Sequence, residues 1–184
     1  MKATDILTEE HTVIERVLDA LETAIQSLEG GGSIPADFFI GVTDFIKGFA
    51  DGCHHKKEED VLFRAMAAHG VPVEGGPIGA MLAEHEQGRL YTRGMREAAR
   101  RLKTGDGAAR ADIIRNARGY VALLRQHIAK ENGVLFPMAD QAIPQTEHEA
   151  VAASFDRVEH EETGPGVHEK YLSLAAELEK TVAS

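Results

Sequence analysis

Three things are scarce in this chain, and each scarcity excludes something. There is one cysteine, Cys53, in 184 residues, so no intrachain disulfide can form, which suits a reducing compartment. No apolar run approaches the length of a membrane span. The opening "MKATDILTEEH" also lacks the basic-then-apolar order of a signal peptide. The expected location is therefore cytoplasmic, with no membrane partner. Basic residues are outnumbered, 20 against 30 acidic, for a formal charge of −10. Such a surface repels phosphate backbones and anionic lipid, so no nucleic-acid partner is expected. Absent motifs exclude more. With no His-Glu-x-x-His there is no zinc-protease site, and with no Glu-x-x-His there is no ferritin-like one. No Gly-rich loop follows a strand, and no organic cofactor is expected.

What is present is helix. Leu7, His11, Ile14, Leu18, Leu21, Ile25 and Leu28 recur in steps of three and four, the stripe of a buried bundle helix. "GGGSIP" at 30–35 ends that helix and starts a second, which runs to about Ala68. A third carries Ile78, Met81, His85, Thr92, Met95, Ala99 and Leu102, and a fourth Ile113, Ala117, Tyr120, Leu124, His127, Glu131 and Val134. Short connections favour an all-α, up-down-up-down four-helix bundle. The whole chain, 1–184, reads as a single domain: the bundle at about 3–140, and a C-terminal extension of two helices at about 146–182.

Nine histidines are the unusual count, and two strings organise them. "HHKKEEDVLF" at 54–63 aligns with "HIAKENGVLF" at 127–136 on the shared Val-Leu-Phe. His54 then falls on His127 and Glu58 on Glu131, giving His-x-x-x-Glu twice, a spacing that puts both side chains on one helical face. His55 and Glu59 have the same spacing, but Ile128 and Asn132 stand opposite them. The comparison selects His54 and Glu58 and leaves His55 and Glu59 as neighbours, although Gly48 and Gly52 make the phase of this helix ambiguous. The repeat extends further: His11 lies 43 residues before His54, and His85 lies 42 before His127. Four imidazoles and two carboxylates converging in a bundle core call for cations, because an unpaired buried charge is strongly unfavourable. Without a thiolate cluster, mixed imidazole and carboxylate donors suit iron or manganese. Six protein donors would close one ion completely; shared between two ions they leave room for solvent bridges and a ligand.

This pattern resembles the hemerythrin-like (HHE cation-binding) proteins over nearly the whole chain, with "ADGCHHKKEEDVLF", "LAEHEQGR" and "HIAKENGVLFPMAD" around the repeated residues. The resemblance implies His11, His54, His85 and His127 as terminal ligands, Glu58 and Glu131 as bridges, and two solvent-bridged iron ions. Met81, Arg89 and Asn132 depart from the oxygen-carrying pattern and place the chain with the four-histidine, two-glutamate branch. That branch includes iron-repair and peroxide-responsive proteins. The expected function is to bind or reduce a small oxidant: dioxygen, peroxide or nitric oxide. The alternatives are an iron or redox sensor acting through a protein partner, and iron donation for iron–sulfur cluster repair. Around the site, Glu15, His55, Glu59, Tyr120 and His168 are the expected supporting residues. Glu84 and Glu86 could orient an imidazole, and His69 and His148 read as surface.

Overall fold

A computed structural model describes residues 2–164 and 166–183, with backbone alone at 161–163. Among the described residues the fold consists of six helices and no strand. Helix α1 is Ala3–Glu29. Helix α2 runs over 36–68 and α4 over 109–142, each containing stretches of wider, π-type turn. In α2 these are Ile46–His55 and Glu58–Leu62; in α4 the stretch is Glu131–Leu135. Helix α3 is Pro77–Lys103, α5 spans 148–163, and α6 is Val167–Val182. Proline at the first turn of α3 is tolerated because that N–H has no helical partner in any case.

The first four helices alternate in direction, as their spacing predicts. Two apolar clusters show it. One contains Leu7, Leu62, Met66, Ile78, Met81, Leu135 and Ala139; the other contains Leu18, Leu21, Phe39, Phe49, Met95, Ile113 and Leu124. Each of the four helices passes from one cluster to the other, and neighbours pass in opposite senses. Between the clusters lies a polar slice holding His11, His54, Glu58, His85, His127 and Glu131, all at most 2% exposed. Burial of each large apolar side chain is worth about 1.5–3 kcal/mol, so the two clusters together carry the cost of a layer that would not fold alone.

Both C-terminal helices pack on α1 and α2. Phe155 of α5 joins the first cluster, and Leu178 of α6 joins the second. A β-carbon on Gly48 would meet the Tyr171 hydroxyl at 1.8 Å, so this glycine lets α6 seat against α2. The glycine that blurred the phase of α2 is thus a packing contact.

Candidate metal centre

The repeated residues do come together. His11 Nε2 lies 3.1 Å from Glu131 Oε2, and His127 Nε2 lies 3.0 Å from Glu131 Oε1. His54 Nε2 is 3.5 Å from Glu58 Oε1, and His85 Nε2 is 3.4 Å from Glu58 Oε2. Each carboxylate therefore turns one oxygen to an imidazole of its own half and the other to an imidazole of the opposite half.

One expectation needs correcting. His55, set aside as a neighbour, is 4% exposed, and it stacks on His85 with ring centroids 3.9 Å apart. The wide turns of Ile46–His55 bring two consecutive histidines inward, which regular α-helical phase would not allow. Donor atoms fall into two groups that could each hold an ion: His55, Glu58, His85 and His127, and His11, His54, Glu58 and Glu131. Glu58 belongs to both.

The outer nitrogen of every one of these imidazoles is held. Glu10 Oε2 faces His54 Nδ1 at 2.9 Å, and Glu84 Oε2 faces His127 Nδ1 at 2.9 Å. Glu59 Oε1 faces His85 Nδ1 at 2.7 Å, Asn132 Oδ1 faces His11 Nδ1 at 2.9 Å, and Asp51 Oδ1 faces His55 Nδ1 at 2.8 Å. An Nδ1–H donated outward leaves Nε2 as a free acceptor aimed inward, the tautomer a metal requires. These supports were legible at the same offset as the ligands. Glu84 follows Glu10 by the 74 residues that separate His85 from His11, and Asn132 follows Glu59 by the 73 that separate His127 from His54. Lys57 and Lys130 share that 73-residue offset; Lys57 pairs with Glu10, and Lys130 with Glu84. So do Phe63 and Phe136, whose rings lie parallel to His85 at 6.1 Å and to His11 at 5.4 Å. The Val-Leu-Phe that aligned the strings thus supplies an apolar cap to each lone histidine.

Other expected residues fall differently. Glu59 supports His85, as proposed for a neighbour. Glu15 is exposed, because Glu10 faces His54 and Asn132 faces His11. His168 lies outside both groups; its ring sits 5.3 Å from Phe49. It can gather with Glu10, Cys53 and Glu159, but the Lys57 ammonium already bridges Glu10 and Glu159, so a cation serves that cluster. His148, read as surface, is 1% exposed because it opens α5 against the bundle. Tyr120 is buried, with no hydrogen-bond partner for its hydroxyl. Glu86 is exposed and pairs with Arg89.

Titration follows from burial. Desolvation pushes the Glu58 carboxyl well up, and the facing Glu131 carboxylate adds to it. Glu131 is desolvated too, but His11 and His127 pull it below the ordinary carboxylate range. Burial lowers His54 to about 4, against the opposing pull of Glu10, and lowers His55 well below its ordinary value. Both are therefore neutral imidazoles near pH 7.

The residues fit a cation. His11 Nε2, His54 Nε2 and all four oxygens of Glu58 and Glu131 are buried without a hydrogen-bond partner, and buried polar atoms in that state are costly unless something else satisfies them. A helical bundle whose polar slice ends in inward imidazole nitrogens and paired carboxylates is a cation-binding fold. The family comparison agrees. The model for the hemerythrin HHE cation binding domain matches residues 2–139, and the chain belongs to that family. It is also similar, at 23% identity over 180 residues, to the uncharacterized protein Rv1995 of Mycobacterium tuberculosis (strain ATCC 25618 / H37Rv). Mb2018 of Mycobacterium bovis, likewise titled uncharacterized, matches to the same extent. In each case 98% of this chain and 70% of the relative are covered. No solved structure matches. No helix is long and apolar enough to cross a membrane among the described residues.

Proposed function

We propose that the protein holds two iron ions and uses them to bind or reduce a small oxidant: dioxygen, peroxide or nitric oxide. The observation that carries this reading is the pair of donor groups sharing Glu58 in a slice with orphaned inward atoms. Iron supplies the electrons and the ligand-accepting positions when bound. His55, His85 and His127 would serve one ion, and His11 and His54 the other, with Glu58 and Glu131 spanning both. The two groups would differ in donor type, three imidazoles with Glu58 in one and two imidazoles with Glu58 and Glu131 in the other, and that difference would set the two ions apart when a small ligand binds.

The protein's own contribution is orientation and dryness. The five outer hydrogen bonds fix the imidazoles before metal arrives, and pre-set ligands lose little freedom on binding. Phe63, Phe136 and the two apolar clusters limit water. Tyr120, a heptad before His127 on the same face, offers a buried hydroxyl as hydrogen-bond donor to a bound ligand.

Anaerobic purification with iron quantification, then spectra before and after oxygen, peroxide and nitric oxide, tests the reading. Two irons per chain and a spectrum changed by one of these oxidants are expected. A single iron, or two irons whose spectrum none of them alters, would refute it.

A second reading, an iron-responsive sensor, has one observation in its favour. Glu159 of α5 pairs with Lys57, Lys57 with Glu10, and Glu10 with His54, so the C-terminal extension is tied to the metal slice. Hydrogen exchange in α5 and α6 that does not respond to iron would remove it.

A further inference from the structure

The chain is acidic overall, but one of its hollows is lined mostly by basic residues. Between α2 and α3 lies a cleft of 410 Å³ lined by Lys47, Arg89, Arg93, Arg96 and Arg100, with Asp51 its one acidic lining residue and Thr43 and Thr92 completing it. Five of 20 basic residues thus gather in one hollow of a protein with ten more acids than bases. Elsewhere exposed arginines sit on acids: Arg16 on Glu179, Arg118 on Glu29, Arg125 on Asp19 and Glu22. In the cleft, Arg96 is held by Asp44 and Thr43, and Arg89 by Asp51, Glu59 and Glu86. Lys47, Arg93 and Arg100 have no ion-pair partner among the described residues. Acids do border the cleft, but they engage Arg89 and Arg96 and leave Lys47, Arg93 and Arg100 to line it unpaired.

We propose that this cleft binds a small anion carrying two or more phosphates. Guanidinium groups present paired donors that match phosphate oxygens. The arginines at 89, 93, 96 and 100 follow one face of α3, where eleven residues rise about 16 Å. That length exceeds a single phosphate and suits a short chain of them, and a concave hollow suits a small molecule more than a flat protein face. The cleft also reaches the metal slice. Asp51 lines it, holds His55 Nδ1 at 2.8 Å, and lies 3.3 Å from Arg89 Nε. An anion that draws Arg89 away changes the partner of His55.

The test is calorimetric titration of the full, metal-free chain with inorganic tripolyphosphate at low salt. Run without metal, the measurement is independent of the function proposed above. One site per chain is expected, with affinity at least about tenfold weaker in Arg93→Gln/Arg100→Gln and unchanged in Arg64→Gln, which lies outside the cleft. Circular dichroism shows whether each variant folds; should the double variant not fold, Arg93→Gln alone carries the comparison. Absence of binding heat, equal loss in Arg64→Gln, or equally tight binding of sulfate at matched ionic strength would overturn the proposal. So would a cleft that binds an acidic protein but not tripolyphosphate.

Discussion

The two halves of the bundle share a plan and differ in what surrounds it. Each contributes Glu-His on one helix and His-x-x-Lys-Glu on the next, and each supports histidines of the other (Glu59 on His85, Asn132 on His11). The first half then adds Asp51 and His55 where the second has Leu124 and Ile128. It also carries α5 and α6, so Lys57 is 0% exposed at its side chain while its counterpart Lys130 is 46% exposed. The lesson is a division of labour. What repeats lines the slice with two donor groups that could each hold a cation, and what does not repeat adds a third imidazole to one of them.

Glu131→Ala removes the carboxylate that faces His11 and His127 at once, and loss of both irons by metal analysis is expected. A variant that kept two irons would show that the carboxylate does not span the groups.

The unequal part comes next. His55→Ala should lose iron from the three-imidazole group while the group of His11 and His54 retains it, giving about one iron per chain. The mirror substitution Ile128→Ala touches no donor and should leave iron content unchanged. Equal iron in both variants would make His55 a bystander.

The lysines give a smaller, thermodynamic contrast. Lys57→Met strands Glu10 and Glu159 near a buried position, and breaking such a pair costs about 3–5 kcal/mol. Lys130→Met breaks an exposed pair worth about 1 kcal/mol or less. Denaturant melts of the metal-free chain should show that order, and equal costs would mean that burial by α5 contributes nothing.

The smallest effect concerns Cys53. Burial raises its thiol to about 11, so it is almost wholly protonated at pH 8, and its alkylation in the folded chain should be far slower than in urea. Its rate should rise as pH approaches 11, for as long as the fold persists. Equal rates folded and unfolded would place the thiol at the surface.

Much of this was legible from the repeat alone. Laying "HHKKEEDVLF" on "HIAKENGVLF" brought out four residues and the longer repeat added His11 and His85, all six in one slice, and the same offsets held Glu10, Glu84, Lys57 and Lys130 as supports of the imidazoles. His55 was not legible, because a 3.6-residue period admits one inward histidine of two neighbours and only the wide turns of Ile46–His55 admit both. The placement of α5 and α6 was hidden for another reason: it depends on a missing side chain, at Gly48, meeting Tyr171 more than 100 residues away. His148 looked like surface from its position beside a break, yet α5 begins by packing inward. Local pattern records which face of a helix is apolar, whereas distant docking is written in pairs.

Where iron binds decides whether the two donor groups that share Glu58 each hold an ion. A crystal structure of the anaerobically iron-loaded protein, with anomalous scattering at the iron edge, tests it most directly. Two iron peaks are expected, one contacted by His55, His85 and His127 and the other by His11 and His54, with Glu58 and Glu131 touching both. A single peak, or two peaks with His55 Nε2 bound to neither, would contradict it.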